Sequence, residues 1–423
     1  MRFDVVIIGG GLTGLAAGLA LLGAGKSCAL LNSGQSALHF SSGSFDFLNA
    51  LPDGTPVENP ARALEALAGM APAHPYSMLG PERTLALAEE AEYLLQEWEV
   101  PMEGSVRSNH LRLTPLGLMA PCWLSAPDLM TALPDGRFPW KRVLLLNLEG
   151  FLDFYPEILA SNLAAMGVET DCRYVTVPPL EVLRNNPSEF RSINIARVLD
   201  KPENLERLAD QLSGFCQDFE AVLLPACLGQ FSLGPVQELE RRLARPVRLV
   251  PTLPPSLLGA RVSRILTRRF VELGGNYMPG DKAVGYAVED GRITRLFTEN
   301  HEDIPLEADH YLLATGSFFS QGLKADQHAI RESVFALDLV EAPGDRARWS
   351  APNFFDPQPY SGFGVRVDAA MRGFMGGRCV ENLHAAGMVV GNFDAVRLGC
   401  GAGVALVTAL AAVEAILDSR ACG

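Results

Sequence analysis

Residues 2–32 read RFDVVIIGGGLTGLAAGLALLGAGKSCALLN. Phe3 to Ile8 is a continuous apolar run rich in Val and Ile, as a strand buried on both faces requires. Gly9, Gly11 and Gly14 then form G-x-G-x-x-G. Leu12 to Gly23 has the Leu/Ala content of a helix, and Ser27 to Leu31 is a second buried strand. The spacing predicts a strand–helix–strand unit. In such a unit the first glycine permits a tight turn, the second lets a pyrophosphate approach the backbone, and the third lets helix and strand pack closely. The helix N-terminus adds unsatisfied N–H groups and a positive dipole end. Gly9, Gly10, Gly11 and Gly14 are therefore candidate cofactor-binding residues. The second strand runs into Asn32, where this fingerprint usually carries an acid for a ribose. Asparagine accepts a hydrogen bond but brings no charge. Either the ribose of a dinucleotide such as FAD is held without an acid, or the adenosine half is absent and the ligand is FMN.

The chain of 423 residues is long enough for two or three cores. Its 35 basic and 49 acidic residues give a net charge of −14, which opposes non-specific nucleic-acid binding. The cysteines at 28, 122, 172, 216, 227, 379, 400 and 422 include no Cys-x-x-Cys. A zinc ribbon or a local iron–sulfur cluster is not expected, no metal ligands are assigned, and scattered thiols suit a reducing cytosol. Cys400, just before a helix, reads either as a thiol of lowered pKa or, preferably, as a small packing residue. Val5 to Gly25 is uncharged and of membrane-spanning length. Asp4 before it, its many glycines and its division into strand and helix make it a core element instead. No other segment is expected to span a membrane.

Further along, Pro81 to Glu97 reads as a helix, and residues 101–140 as Pro-rich and irregular. A second α/β rhythm starts at RVLLLNL (142–148). It continues through a helix at 154–166, a strand at 168–177, a helix at 204–216, a strand at 221–225, a helix at 235–244 and a strand at 247–250. Strands alternating with helices predict a parallel sheet, and no glycine fingerprint follows this one. Ser256 to Leu273 is an amphipathic helix ending at Gly274-Gly275. The expected fold class is α/β: a Rossmann-like flavin-binding domain split in sequence, residues 1–60 and 256–423, with an inserted α/β domain over 61–255.

Three later elements separate a flavoprotein from an NAD dehydrogenase. The loop HFSSGSFDF (39–47) offers Ser42, Gly43 and Ser44 to a phosphate or a flavin edge, and His39 as an acid or base. HYLLATG (310–316) ends in Thr315-Gly316, at a strand tip that reaches a cofactor. The closing strand–loop–helix carries Gly387, Gly391, Asp394 and Gly401. It resembles the closing strand–loop–helix of flavoproteins, in which a carboxylate holds the ribityl chain and a helix N-terminus faces the flavin's electron-rich end. Arg184, Arg191, Arg197 and Arg331 are candidates for an anionic substrate, and Arg331 is also a candidate catalytic residue beside His39.

The words GQSALHFSSGS, APAHPYS, LRNN with EFR and NIAR, VPTLPPS, MPGD, ATGSFFSQGL and GCGAGV run in order along the whole chain. With them the chain resembles the B subunits of the anaerobic glycerol-3-phosphate dehydrogenases. The resemblance implies a complex that oxidises sn-glycerol 3-phosphate to dihydroxyacetone phosphate and passes electrons toward membrane quinone. It implies FMN in this chain, an FAD-containing catalytic partner and an iron–sulfur partner that anchors the pair to the membrane. It places the chain in the cytoplasm, peripheral to the inner membrane, and carries over no catalytic residue. Competing expectations are a stand-alone flavin oxidoreductase and a non-redox scaffold within the same complex.

Overall fold

The computed structural model describes residues 1–301, 303–340 and 342–419. The opening unit forms as the glycines and apolar runs require. Strand β1 (Arg2–Ile8) leads into helix α1 (Leu12–Gly23) and strand β2 (Cys28–Asn32). β1 and β2 lie in a six-stranded sheet. Its spatial order is Asn276–Pro279, β2, β1, Glu307–Leu313, Arg378–Ala385 and Arg372–Met375. All pairings are parallel except the last. Ile8 stands opposite Leu31 on one side and Leu313 on the other, so three strand tips end level. A parallel sheet opens its ligand crevice at these carboxyl ends, where the chain leaves β1 in one direction and returns in the other.

A second sheet, all parallel, has the order Val247–Val250, Ala221–Pro225, Arg142–Leu148 and Glu169–Val175. It is the sheet expected from the alternating rhythm. Each sheet has its own hydrophobic core. The first gathers buried side chains from Val5 to Leu124 and from Val262 to Ile416, and the second from Leu113 to Leu258. The segment 61–255, expected as one inserted unit, is thus shared: its helices Pro60–Met70 and Pro81–Glu97 pack into the first core.

Helix Leu257–Glu272 joins the two. Leu258 enters the second core, while Val262, Ile265 and Phe270 enter the first. Between them Arg261 is 2% exposed. Its guanidinium lies 2.8 Å from Asp128, and it donates to the carbonyls of Gly229 at 2.6 Å and Leu228 at 3.1 Å. A buried charge needs that degree of compensation.

Among the described residues one helix, Gly401–Asp418, is long and apolar enough to cross a membrane. Its length and composition stand against the expectation that no segment beyond Val5 to Gly25 could do so. It is 67% buried inside the fold, packed on α1 and on helix Pro81–Glu97, so its apolar surface is consumed internally.

His74 in APAHPYS caps helix Pro75–Leu79, its Nδ1 accepting from the Tyr76 N–H at 3.1 Å. Burial pushes this imidazole down to about 3. The unfolded chain takes up a proton below about 6.5 and the folded chain does not. Stability is therefore fully present above that pH and is lost as pH falls toward 3, on the order of 1 kcal/mol per pH unit. His74→Asn keeps a capping acceptor and removes the titration. Urea titrations between pH 4 and 6.5 are expected to show a shallower fall in stability for the variant, and an unchanged slope would refute the assignment.

Candidate flavin site

A cleft of about 1080 Å³ opens over the tips of β1, β2 and Glu307–Leu313. Its floor is the turn Gly9–Gly11. Gly9 has φ +119°, and a Cβ there would sit 2.2 Å from the Ala314 carbonyl oxygen. A Cβ on Gly14 would meet the Gly9 carbonyl oxygen at 1.9 Å. Both glycines are demanded by packing. Gly11 differs: its backbone is extended, and an added Cβ would find nothing nearer than Ser36 Oγ at 3.8 Å, inside the cleft. As N-cap of α1 it brings no side-chain hydrogen bond, so the first N–H groups of the helix face open space. This is a cradle that a side chain would fill, and it fits a phosphate.

Asn32 lines the cleft beside Gly10, and its Nδ2 donates to the Tyr277 hydroxyl at 2.6 Å. Past it the wall continues through Ser33, Gly34 and Gln35, with Asp281 and Lys282 also lining the cleft. Other lining residues are Ser42, Ser44, Thr315, Gly316 and Gly401. The Ser42 and Ser44 hydroxyls lie 2.8 Å apart, and Thr315 Oγ1 is buried without a hydrogen-bond partner within the chain. Helix Gly401–Asp418 has no side-chain cap, and its first turn, Gly401 and Ala402, faces the cleft. Phe40 and Phe319, 47% and 65% exposed, meet edge to face at 5.1 Å among the lining residues.

Several expected residues lie elsewhere. Gly14 is behind the floor. Gly43 packs on Leu258, Gly387 on Thr13 and Gly391 on Val340, each too closely for a Cβ. Asp394 caps the short helix Ala395–Leu398 by accepting from the N–H groups of Val396 and Arg397, and receives the Ser361 hydroxyl at 2.7 Å. None of these four lines the cleft: the three glycines serve packing and Asp394 serves as a cap. His39 is not among the lining residues. Its ring meets the Ser36 carbonyl at 3.2 Å, and burial lowers its pKa. Arg331 is exposed and paired with Asp326 at 2.7 Å, on a hairpin. Arg191 is paired with Asp153, and Arg184 with Glu181. Arg197 is exposed and does not line the cleft. Cys400 is fully buried, which raises its thiol rather than lowering it. Cys422 lies outside the described residues. No group of three or more metal-ligating side chains occurs among the described residues.

Sequence reasoning missed Ser36, Asp46, Arg112 and Thr252, which all line the cleft. Asp46 stands in the quoted loop HFSSGSFDF as its one acid, and that was the available signal. Its backbone carbonyl accepts from the Gly403 N–H at 2.9 Å, which ties it to the start of helix Gly401–Asp418. Burial raises the Asp46 carboxyl, against the opposing pull of Arg112 and an Asn49 hydrogen bond.

A glycine floor on a parallel sheet, with two uncapped helix N-termini turned into one cleft, is the architecture of a flavin-binding Rossmann-like protein. The FAD binding domain family matches residues 4–404 of the chain. The B subunit of anaerobic glycerol-3-phosphate dehydrogenase from Yersinia pestis bv. Antiqua (strain Antiqua) is 50% identical over 422 residues, covering 100% of this chain and 99% of that protein. The protein of the same name from Pectobacterium carotovorum subsp. carotovorum (strain PC1) is 47% identical over 418 residues, covering 99% of each. The chain belongs to the family of anaerobic glycerol-3-phosphate dehydrogenase B subunits, within the FAD binding domain proteins. Among solved structures, 3-ketosteroid delta1-dehydrogenase from Sterolibacterium denitrificans is similar over 99% of this chain and 100% of that one, at 11% identity and a TM-score of 0.45.

Proposed function

We propose that the chain is the flavin-bearing B subunit of a complex that oxidises sn-glycerol 3-phosphate to dihydroxyacetone phosphate and passes the electrons toward membrane quinone. It assembles with an FAD-containing catalytic partner and an iron–sulfur, membrane-anchoring partner, and lies in the cytoplasm, peripheral to the inner membrane through that complex. The observation that carries the reading is the open space above Gly11 in a cleft also faced by Gly401. The turn at Gly11 and the N–H groups of α1 hold a cofactor phosphate. Ser42, Ser44 and Thr315 offer hydroxyls along the cofactor, and the N-terminus of helix Gly401–Asp418 favours negative charge at its far edge. Phe40 and Phe319 add aromatic surface to the cleft. A bound flavin supplies a two-electron acceptor for the hydride of a carbinol carbon.

Asn32 favours FMN, because no acid waits for an adenosine ribose. FAD is the second reading, favoured by the family match and by the cleft wall continuing past Asn32. The test is to purify the chain, release its cofactor by denaturation and identify it by chromatography. One flavin per chain, reduced anaerobically by sn-glycerol 3-phosphate once the chain is assembled with its partners, supports the proposal; a chain that takes up no flavin on reconstitution ends it. Asn32 donates to the Tyr277 hydroxyl; Asn32→Asp reverses that bond, its carboxylate accepting from the hydroxyl, and adds the missing charge. It is expected to raise affinity for FAD relative to FMN by about tenfold, the worth of one charge-assisted hydrogen bond. An unchanged ratio would show that residue 32 meets no ribose.

A further inference from the structure

Besides Thr315, three residues that line the cleft carry a buried polar atom without a hydrogen-bond partner in the chain: Arg112 at Nε, Asp46 at Oδ1 and Thr252 at Oγ1. They come from different parts of the fold. Arg112 lies on strand His110–Leu113, Asp46 on the loop after β2, and Thr252 just beyond Val247–Val250 of the second sheet. Leaving such groups unpaired is costly, and polar groups left so in a cleft are those a ligand satisfies. Among the described residues no carboxylate lies within 4.0 Å of the Arg112 guanidinium, whereas Arg184, Arg191 and Arg331 are all ion-paired. Asp46 is close enough to feel the Arg112 charge yet is not bonded to it. The two therefore present a cation and a carboxyl to the cleft as separate groups. An anion suits the guanidinium fork and the threonine hydroxyl. A ligand hydroxyl suits the carboxyl.

We infer that Arg112 and Thr252 bind the phosphoryl group of a small hydroxylated phosphate monoester, and that Asp46 takes a hydrogen bond from its hydroxyl. The inference deepens the function proposed above and rests on it for the choice of ligand. Arg112 is the specificity-determining residue, because without it the cleft offers no fork for a doubly charged phosphoryl group.

The test is isothermal titration calorimetry of the full chain with sn-glycerol 3-phosphate, inorganic phosphate and glycerol, with flavin content measured separately. The wild-type chain is expected to bind the first two in competition, and glycerol not measurably. Arg112→Gln is expected to weaken both phosphates by about 30-fold or more, and Arg112→Lys by less. Thr252→Val costs about fivefold for both. Asp46→Asn weakens sn-glycerol 3-phosphate and spares inorganic phosphate, a split that a general loss of structure does not give. Arg292→Gln, at an exposed pair with Glu381, changes nothing. Should Arg112→Gln fail to fold, the lysine, valine and asparagine variants decide the matter. Wild-type chain that binds neither phosphate overturns the inference, as does undiminished binding in Arg112→Gln. Loss of flavin with anion affinity intact also overturns it and moves the guanidinium to the cofactor. Phosphate binding in a chain that takes no flavin upholds the anion site and removes the redox reading; flavin without phosphate binding does the reverse.

Discussion

Gly11→Glu is expected to yield a folded chain that carries no flavin. The backbone at Gly11 is extended, φ −85° and ψ −171°, which any residue adopts. The new side chain would enter open cleft, with Ser36 Oγ at 3.8 Å as its nearest neighbour. A carboxylate there sits at the uncapped N-terminus of α1, a position that favours negative charge, so the empty protein loses no more than about 0.5 kcal/mol. The same carboxylate occupies the volume and the N–H groups that a phosphate needs. Flavin affinity should fall at least about 100-fold, or about 2.7 kcal/mol. Gly14→Ala provides the contrast, since its Cβ would stand 1.9 Å from the Gly9 carbonyl oxygen. That variant should lose stability before it loses affinity. Bound flavin per folded chain, read beside the thermal midpoint, distinguishes the two. Stoichiometric flavin in folded Gly11→Glu would refute the cradle.

The second large effect is expected at Asp128. Asp128→Ala strips the counter-charge from an arginine that is 2% exposed and leaves it between the two cores. Removing one partner of a buried pair typically costs about 3–5 kcal/mol, because the remaining charge stays desolvated. The double variant Asp128→Leu with Arg261→Met replaces both charges with apolar groups and should recover much of that loss. Urea unfolding of Asp128→Leu, Arg261→Met and the double variant closes the cycle. A loss below about 1 kcal/mol for Asp128→Ala would mean that water reaches Arg261 or that its carbonyl partners suffice.

The opening unit was legible because its signals are local. An apolar run buried on both faces, three glycines of which Gly9 and Gly14 have steric reasons, and a second apolar run bound β1, α1 and β2 to within a residue. The strands Ala221–Pro225 and Val247–Val250 were read to the residue for the same reason. Gly387 and Gly391 misled. They belong to a segment that does end near the cleft, yet the close approach they allow is to Thr13 and Val340 and not to a cofactor. The arginines misled in another way. An ion pair such as Arg191–Asp153 joins residues 38 apart and leaves no mark on local sequence. Arg112 lies in the stretch 101–140, read as Pro-rich and irregular, and its flanking leucines carry no mark of a site. Its place beside Asp46 follows only when the Pro-rich stretch is folded against the loop after β2.

The main-chain ends of the sheet carry a consequence for synthesis. The Met1 amino group bonds the carbonyl of Pro305, 304 residues away, and β1 pairs along its length with Glu307–Leu313. On a ribosome adding about 5–20 residues per second, one flank of β1 stays unpaired for about 15–60 s. A strand with four successive buried apolar residues is thus born with an open edge, the condition under which strands join wrong neighbours. The cleft itself draws on residues from Ile8 to Ala405, so its wall is complete only when nearly the whole chain is made. A full cleft is therefore presented to a cofactor only by chains whose synthesis is all but finished.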